Sequence, residues 1–413
     1  MPSPHLIHRL ALMVLLAILC PGQLSADDWP QILGPTRNGI SREKLPDRFP
    51  TAGPKVAWSA PVGQGYAGPA VAQGKVVLFH RIDGQERVEA FDVNSGKSLW
   101  TADFPALYRG GIDPDTGPRC VPLIHNDRVY VFGAASDCYC VALNTGKTIW
   151  SRALAEDFDV TDSYFGAGST PILIGERLLI NLGAKWAGIV ALNAATGKTE
   201  WGTTTEAASY SSPALLKRGS QEHAVFLTRM NVVVIDPQTG TAETLFPFGK
   251  TGPTVNAATP LIEKGSLFVT SSYGVGAKST SLPGKASLEV LWSNDSSLSS
   301  QYATPVIRDG HLYGIHGRED IPPAHLRCIE LKTGKVVWSE DGFGVAHAIL
   351  GSDKLLLLTI DGQVVLAEAS PKAYRELGRA TISKSATRAM PALSNGHLYC
   401  RSKEKLLCVK LGE

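Results

Sequence analysis

Short hydrophobic runs separated by polar turns recur along this chain, and one such stretch returns at regular intervals. Its clearest copy is Ala142–Trp150, in which Ala-Leu and Ile-Trp flank the polar segment Asn-Thr-Gly-Lys-Thr. Related copies occupy residues 92–100, 193–201 and 331–338. Two apolar strands around a Thr-Gly or Ser-Gly pair predict a β-hairpin, because glycine tolerates the positive φ of such turns. The chain is therefore predicted to consist of repeated hairpins.

Each hairpin is preceded by two further strand signals. The second is strongly hydrophobic, as in Lys75–Phe79 and Arg128–Phe132, and the first begins at or near a proline. Because proline has no N–H to donate to a ladder, we expect it at a sheet edge or at the start of a strand. The repeating unit thus contains four strands. Its prolines are Pro69, Pro122, Pro171, Pro213, Pro260, Pro305 and Pro391.

The spacing of six tryptophans sets the length of the repeat. Intervals of 42, 50, 51, 91 and 46 residues separate Trp58, Trp100, Trp150, Trp201, Trp292 and Trp338, and the interval of 91 accommodates two repeats. Four-stranded units with a period of about 40–50 residues predict an all-β, eight-bladed β-propeller of antiparallel blades. The alternative is a seven-bladed ring in which residues 345–378 form an insertion.

Both ends of the chain fit this ring. The last repeat stops after its third strand, at Leu406–Leu411, whereas the strand that ends at Trp58 has no hairpin before it. If this N-terminal strand completes the last blade, the ring closes and free sheet edges disappear. We therefore assign residues 55–413 to the propeller. Residues 27–54, which are rich in proline and glycine, are interpreted as an extended leader.

Residues 1–26 are typical of an export signal. The apolar run Leu10–Cys20 follows His5, His8 and Arg9, and it is too short to serve as a membrane anchor. We predict cleavage after Ala26 and a periplasmic or secreted protein. Lipidation at Cys20 is the alternative, and it would attach the protein to a membrane.

Charge and cysteine content restrict the partners and the covalent chemistry. Lys and Arg number 40 against 38 acidic residues, so no overall electrostatic field favours binding of nucleic acid. We also expect the protein to be a monomer. The cysteines beyond the signal are even in number, which permits disulfides in an oxidising compartment. We expect most to be small buried thiols, with pairing of Cys400 and Cys408 across a hairpin as an alternative. The six are Cys120, Cys138, Cys140, Cys328, Cys400 and Cys408.

The recurring hairpin resembles the A-x-D-x-x-T-G-K-x-x-W repeat of the pyrroloquinoline-quinone-like (PQQ-like) β-propeller family. The resemblance covers residues 55–413, and the leader segment Trp29–Gly39 also looks like the start of exported members. It implies that the motif tryptophans pack between blades. It also implies two kinds of function: cofactor-free scaffolds, similar to the lipoprotein subunit of the outer-membrane barrel assembly machine, and quinoprotein dehydrogenases that bind quinone and calcium.

Residues just before the recurring prolines are candidates for a binding site, since the start of each innermost strand of a propeller faces the central channel. Guanidinium groups bind carboxylates, and tyrosine offers both an apolar face and a polar tip. This ring therefore suits an anionic or hydrogen-bonding ligand, although a water-filled polar channel is the alternative. The candidate ligand-binding residues are Tyr66, Arg119, Tyr210, Asn256, Gln301, Tyr302, His347 and Arg388, and Ser169 and Ser211 complete the ring.

No residue is assigned a catalytic or metal-binding role. The ring contains no Asp or Glu to act as a base or calcium ligand, and we interpret Asp113-Pro-Asp115 as a solvated turn. Some dehydrogenases of the family have two adjacent cysteines, whereas Tyr139 separates Cys138 from Cys140 in this chain. The sequence also contains no haem-attachment motif. We expect a cofactor-free scaffold that binds a protein or small ligand at its loop face. The alternative is a PQQ- and calcium-dependent alcohol or sugar dehydrogenase that uses the channel mouth.

Overall fold

The protein is described by a computed structural model that covers residues 28–111, 114–160, 166–282 and 288–412. In these ranges it forms 33 strands and one short helix, α1 (Leu154–Asp157). The strands group into eight sheets, and each contains a blade of four antiparallel strands that are consecutive in the chain apart from those of the closing blade. The sheet of the seventh blade has a fifth strand, Ile40–Ser41 of the leader, which pairs parallel with the innermost strand. The predicted eight-bladed propeller is confirmed, and the seven-bladed alternative is wrong because residues 346–381 form a complete blade.

Two strands precede the first blade, and the first four blades follow in chain order. The leader carries β1 (Ile40–Ser41), and β2 (Lys55–Pro61) follows it. Blade 1 contains β3 (Ala70–Ala72), β4 (Lys75–Ile82), β5 (Gln85–Asp92) and β6 (Ser98–Pro105), and blade 2 contains β7 (Leu123–His125), β8 (Arg128–Phe132), β9 (Asp137–Ala142) and β10 (Thr148–Ala153). Blade 3 contains β11 (Ile172–Ile174), β12 (Arg177–Ala184), β13 (Ala187–Asn193) and β14 (Thr199–Thr203), and blade 4 contains β15 (Ala214–Arg218), β16 (Gln221–Leu227), β17 (Asn231–Ile235) and β18 (Ala242–Pro247).

The other four blades complete the ring. Blade 5 contains β19 (Leu261–Glu263), β20 (Ser266–Ser271), β21 (Gly276–Ser281) and β22 (Glu289–Asn294); blade 6 contains β23 (Val306–Arg308), β24 (His311–His316), β25 (His325–Glu330) and β26 (Val336–Glu340); blade 7 contains β27 (Ala346–Gly351), β28 (Lys354–Thr359), β29 (Gln363–Glu368) and β30 (Glu376–Thr381); blade 8 contains β31 (Ala392–Ser394), β32 (His397–Arg401) and β33 (Lys405–Lys410).

The middle strands of each blade supply the core. Every residue of β28 is buried, and so is nearly all of β9 and β13, because neighbouring blades cover both faces of these strands. This explains why they appear in the sequence as continuous apolar runs. The outermost strands are more exposed, as in β26. In the described part of the chain, no helix is long and apolar enough to span a bilayer.

The ring is closed by the N-terminal strand, as the sequence predicts. Strand β2 pairs antiparallel with β33, with Trp58 opposite Cys408 and Ser59 opposite Leu407. It therefore occupies the outer position of blade 8, which the C-terminal segment leaves open. Both ends of the propeller are thus held in one sheet, so that the terminal blade has no missing strand.

The six described cysteines are free and buried, and the alternative of a disulfide between Cys400 and Cys408 is wrong. In the β32–β33 ladder, Cys400 lies opposite Leu407 and Cys408 opposite Tyr399. Because residues of adjacent cross-strand pairs point to opposite faces, the two thiols lie on opposite sides of the blade. Burial raises the pKa of Cys400 to about 12, so this side chain is a neutral thiol at physiological pH.

Tryptophan rings join neighbouring blades by packing on the glycine of the next hairpin turn. At Gly197, which has a φ of +71°, a Cβ atom would lie 2.7 Å from Cδ2 of Trp150, so no other residue fits against the ring. The indole Nε1 of Trp150 also donates a hydrogen bond of 3.0 Å to the carbonyl of Ala194, three residues before the turn glycine. We call this arrangement the Trp–Gly clasp. It recurs in the pairs Trp58–Gly96, Trp100–Gly146, Trp201–Gly240 and Trp292–Gly334.

The remaining interfaces depart from this arrangement. Trp338 donates to the carbonyl of Ser370 at the interface between blades 6 and 7. Blade 7 has no tryptophan in β30, and there the leader residue Phe49 packs on Gly378 instead. Blade 4 carries Phe246 in place of the tryptophan, and blade 5 lacks a Thr-Gly-Lys turn. A groove of about 910 Å³ lies beside this interface, between the leader and blades 3 to 5.

We predict that Trp150→Ala lowers the free energy of unfolding by about 3–5 kcal/mol, because it removes a buried indole and its hydrogen bond. Trp186→Ala is the matched control, since Trp186 is 76 % exposed in the β12–β13 loop and should change stability by less than about 0.5 kcal/mol. Denaturant unfolding followed by circular dichroism measures both. Equal stability of Trp150→Ala and the wild type would contradict the clasp.

Candidate functional site

The loops at one end of the propeller surround a cavity of about 220 Å³ in the central channel. We call this end the mouth. The cavity brings together seven of the eight candidate residues, from blades 1 to 8 and the loops between them: Tyr66, Arg119, Tyr210, Gln301, Tyr302, His347 and Arg388. Ile32, Val121, Tyr273 and Met390 are further lining residues. The wall therefore combines four tyrosine rings and His347 with aliphatic side chains and two guanidinium groups.

Arg119 is held by backbone groups and by two aromatic rings. Its guanidinium donates hydrogen bonds to the carbonyls of Gly117 and Asp115, the latter at 2.7 Å. It also lies 5.6 Å from the ring centroid of Tyr66 and 5.4 Å from that of Tyr108, within cation–π range. Among the described residues, no carboxylate is within ion-pair distance of it. Arg119 thus presents a fixed positive charge to the cavity without an acidic counterpart.

Asp115 fixes the loop that carries Arg119. Its carboxylate accepts hydrogen bonds from the backbone N–H groups of Gly65 and Gly117, at 3.0 and 2.8 Å. The prediction of a solvated turn at Asp113-Pro-Asp115 is therefore wrong for Asp115, because this side chain ties two mouth loops together. Asp113 lies outside the described residues.

Arg388 differs from Arg119 because it has a carboxylate partner. Its guanidinium nitrogens lie 2.7–2.8 Å from Oε2 of Glu319 and donate to the hydroxyl of Tyr66 at 2.9 Å. Burial opposes the charge on Arg388, but Glu319 and Tyr66 outweigh that effect and raise its pKa. The hydroxyl of Tyr302 also donates to Glu319, at 2.9 Å. Among the described residues, two cations therefore line the cavity, and the carboxylate of Glu319 is bonded to one of them, Arg388.

Further polar contacts adjoin the Arg388–Glu319 pair. The amide nitrogen of Gln301 donates to the hydroxyl of Tyr273 at 3.2 Å, and its oxygen accepts from the backbone N–H of Glu319 at 3.0 Å. His347 is almost fully buried, lies 5.7 Å from the Tyr302 ring and makes a 2.8 Å hydrogen bond with the carbonyl of Arg388. Burial lowers the pKa of His347, so the ring is neutral near pH 7. These contacts hold the side chains of the wall in place.

Asn256 does not line the cavity, in contrast to the prediction. Its amide nitrogen donates to the carbonyls of Thr228 and Phe248, at 2.8 and 3.2 Å, and only 2 % of the residue is exposed. The side chain therefore turns into the protein, while its neighbours Val255 and Ala257 face the channel. Ser169 and Ser211 are also structural, because their hydroxyls donate to backbone carbonyls at Ser211 and Ala258.

The repeat pattern does not predict three residues of the site: Glu319, Tyr273 and Ile32. Glu319 and Tyr273 come from the loops between the second and third strands of blades 6 and 5, and Ile32 comes from the leader. None lies before a recurring proline. The charged run Arg318-Glu319-Asp320, in a loop longer than its counterparts in other blades, is the one sequence signal that points to the mouth.

Two buried carboxyl groups lie beneath the mouth, between blades 1 and 2. Glu86 is 2 % and Asp137 5 % exposed, and Oε1 of Glu86 accepts a 3.0 Å hydrogen bond from the N–H of Ala134. Burial, together with nearby Asp137, raises the pKa of Glu86 to about 7. Burial also raises the pKa of Asp137 to about 6. Arg119 and Arg81 act in the opposite direction on Glu86, so the pair is coupled to the charge of the mouth.

Comparison with known proteins identifies the family of this propeller. The family model described as "Outer membrane protein assembly factor BamB" matches residues 84–340, more than half of the chain. The chain belongs to the PQQ-like β-propeller family. A search of curated protein sequences gives no significant match.

Solved structures of PQQ-like propellers fall on both sides of the functional division in the family. BamB from Moraxella catarrhalis is similar with a TM-score of 0.61 and 14 % identity, over 86 % of this chain and 97 % of that one. Quinohemoprotein alcohol dehydrogenase from Comamonas testosteroni has a TM-score of 0.66 and 14 % identity, over 94 % and 81 %. The dehydrogenase ADHIIG from Pseudomonas putida HK5 gives 0.69 and 13 %, over 94 % and 80 %. These likenesses show a shared fold.

The mouth residues fit a planar anionic group better than they fit a calcium ion. Arginines and tyrosines suit carboxylates and aromatic rings, whereas calcium requires several converging oxygen ligands. In the described residues no group of three or more His, Cys, Asp or Glu side chains is close enough to hold a metal ion. Glu319 is bonded to Arg388, and the amide of Asn256 points away from the cavity. These two residues therefore do not assemble a calcium site.

We predict a pH-dependent contribution of Glu86 to stability. Its folded-state pKa, about 7, lies above its ordinary value of 4.5, so the contribution is fully present below pH 4.5 and is lost as pH rises through 7. The stability difference between the wild type and Glu86→Gln should therefore shift against the wild type by up to about 3 kcal/mol between pH 5 and pH 8. Melting curves across this range measure it. A constant difference would contradict the assignment.

Proposed function

We propose that this chain is an exported, non-catalytic PQQ-like propeller that binds an anionic group of a protein partner or small ligand at its mouth. The proposal rests on a difference between the partners of the two mouth arginines, Arg388 and Arg119. Arg388 is neutralised by Glu319, whereas the guanidinium of Arg119 contacts backbone carbonyls and aromatic rings and forms no ion pair with a described carboxylate. A partly desolvated guanidinium without a counter-ion favours an incoming carboxylate, since charge-assisted hydrogen bonds are stronger than neutral ones.

Exposed apolar residues around the mouth support a protein partner. Leu107, Trp186 and Ile321 are 50 %, 76 % and 61 % exposed. They lie in loops that follow β6, β12 and β24, and all three loops are at the mouth end. The other large exposed apolar residues lie on the outer strands of the blades, such as Leu99 and Val290. Aromatic and aliphatic side chains near an arginine-containing pocket are typical of protein-binding surfaces.

A quinone-dependent dehydrogenase is the second candidate, and Glu319 is the observation that favours it. This residue supplies the carboxylate at the mouth that the ring of pre-proline residues lacks. A general base must accept a proton from the substrate. Here the carboxylate is already bonded to Arg388 and Tyr302, an arrangement that suits a counter-ion more than a base.

We predict that the mouth binds benzoate at least tenfold more tightly than benzamide, its neutral analogue of similar shape, and that benzamidine, the cationic analogue, binds weakest. The physical reason is the uncompensated charge of Arg119. Isothermal titration calorimetry measures the three affinities. Arg119→Gln should reduce benzoate affinity about tenfold and leave benzamide almost unchanged.

The control is Arg48→Gln, which changes net charge equally but lies exposed in the leader. Equal weakening by both substitutions, or equal affinity for benzoate and benzamide, would contradict anion binding at the mouth. The enzymatic alternative is tested by adding PQQ and calcium and measuring bound quinone and dye-linked oxidation of alcohols and glucose. Stoichiometric quinone with turnover would overturn the non-catalytic proposal.

We further predict that Glu319→Gln raises benzoate affinity about three- to tenfold. The substitution removes a negative charge beside Arg388, so the mouth becomes more positive and attracts an anion more strongly. Because Gln is similar in shape to Glu, its contact with Tyr302 can persist. Asp320→Asn, in the same loop, removes a charge that pairs with Arg318, and it should have a smaller effect. If Glu319→Gln weakened benzoate binding, its role as a counter-ion would be wrong.

A further inference from the structure

The base of the mouth cavity is formed by a residue from outside the blades. Ile32 lines the cavity together with the mouth residues, yet it belongs to the leader, which enters the channel from the opposite end. It is 7 % exposed. At that end the leader bonds to hairpin turns, as Glu43 does to the backbone N–H groups of Asn395 and Gly396. A ligand that enters through the mouth therefore meets Ile32 at the bottom.

The leader segment around Ile32 is a tight turn fixed to blades 1 and 2. The backbone N–H of Trp29 donates to the carbonyl of Val71 at 2.8 Å, and Val71 returns an equal bond to Trp29. The N–H of Ile124 donates to the carbonyl of Pro30 at 2.7 Å. Gly34, with a φ of +79°, allows the Trp29 ring to pack against its backbone, where a Cβ would be only 3.0 Å away. These contacts fix the segment to blades 1 and 2.

Arg37 holds the same turn against blades 3 and 4. Its Nε donates to the carbonyl of Pro213 at 2.8 Å, and its Nη atoms donate to the carbonyls of Pro171 and Thr170 at 3.0 Å. A fourth bond, of 2.8 Å, joins it to Oε1 of Gln31 within the leader. Burial lowers the pKa of Arg37 to about 9, so the guanidinium is still charged at neutral pH. The side chain is 4 % exposed.

We propose that the leader turn Trp29–Gly39 is the floor of the binding site, that Ile32 limits how deeply a ligand can enter, and that Arg37 is the positioning residue that holds this floor in place. The inference rests on the proposed function of the mouth. It makes the channel a blind pocket with one entrance. The leader then limits the size of the ligand through Ile32, and Arg119 selects a ligand with negative charge.

Substituted-cysteine labelling tests the floor directly, because the six described native cysteines are buried. Ile32→Cys is compared with Leu33→Cys, its neighbour of equal exposure that does not line the cavity, after subtraction of the wild-type rate. We expect a small anionic methanethiosulfonate reagent to label Ile32→Cys at least tenfold faster than Leu33→Cys. Equal labelling rates of the two variants would overturn the proposal that Ile32 lies at the floor of the binding site.

The charge of the reagent separates the floor from the proposed function. We expect an anionic reagent to label Ile32→Cys several-fold faster than a cationic reagent, and addition of Arg119→Gln to remove this preference. Fast labelling without any charge preference would overturn anion binding while leaving the floor intact. Slow labelling of Ile32→Cys in a protein that still binds benzoate through Arg119 would overturn the floor while leaving anion binding intact.

A second variant keeps the proposal testable if either cysteine substitution prevents folding. Ile32→Ala removes three carbon atoms and deepens the pocket, so the affinity for 4-ethylbenzoate relative to benzoate should rise at least fivefold. Leu33→Ala is the matched control, and it should leave this ratio unchanged. Circular dichroism verifies that both variants are folded. An unchanged ratio in folded Ile32→Ala would overturn the role of Ile32 in ligand size.

Discussion

The contact between a tryptophan ring and the glycine of the next blade is the constraint on which this structure depends. A propeller has no single core, because each blade packs only on its two neighbours, and the stability of the ring is close to a sum over interfaces. The clasp joins packing, a positive-φ turn and an indole hydrogen bond in one place, as Trp150 and Gly197 illustrate. A side chain at the glycine would occupy the space of the ring. Both halves of the motif must therefore be kept together, which explains why it recurs so regularly along the chain.

Where the clasp is missing, the protein uses other parts of the chain or leaves a groove. Between blades 7 and 8 the leader supplies Phe49, which packs on Gly378, and Leu45, which is buried in the same cluster. Between blades 4 and 5 the leader makes no such contact in the described residues, and a groove remains. The leader thus has two effects: it strengthens a weak interface and, through Ile32, it closes the channel. Stability of the ring and depth of the cavity are set by the same short segment.

Sequence periodicity predicts the parts of this protein that repeat, and it fails for the parts that do not. The motif tryptophans and the unpaired strand at Trp58 establish the blades and their closure, and the pre-proline positions lead to seven cavity residues. A position in the ring does not fix the direction of a side chain, so Asn256 is wrongly included. Glu319 lies in a loop that is longer than its counterparts in other blades, and Ile32 lies in the leader, so the repeat does not indicate the place of either residue. Register, which depends on turn geometry, decides against the pairing of Cys400 with Cys408.

The fold accommodates both scaffolds and dehydrogenases, so function must be argued from the charges at the mouth. An oxidation that removes a proton and a hydride equivalent from an alcohol needs a base free to act in the pocket. Here Oε2 of Glu319 lies against the guanidinium of Arg388 and accepts a hydrogen bond from the hydroxyl of Tyr302, so the charge of this carboxylate is balanced. The charge that lacks a carboxylate partner in the described residues is positive and belongs to Arg119, between two tyrosine rings. A pocket with an unbalanced cation is suited to hold an anion in place, and this favours recognition over proton abstraction.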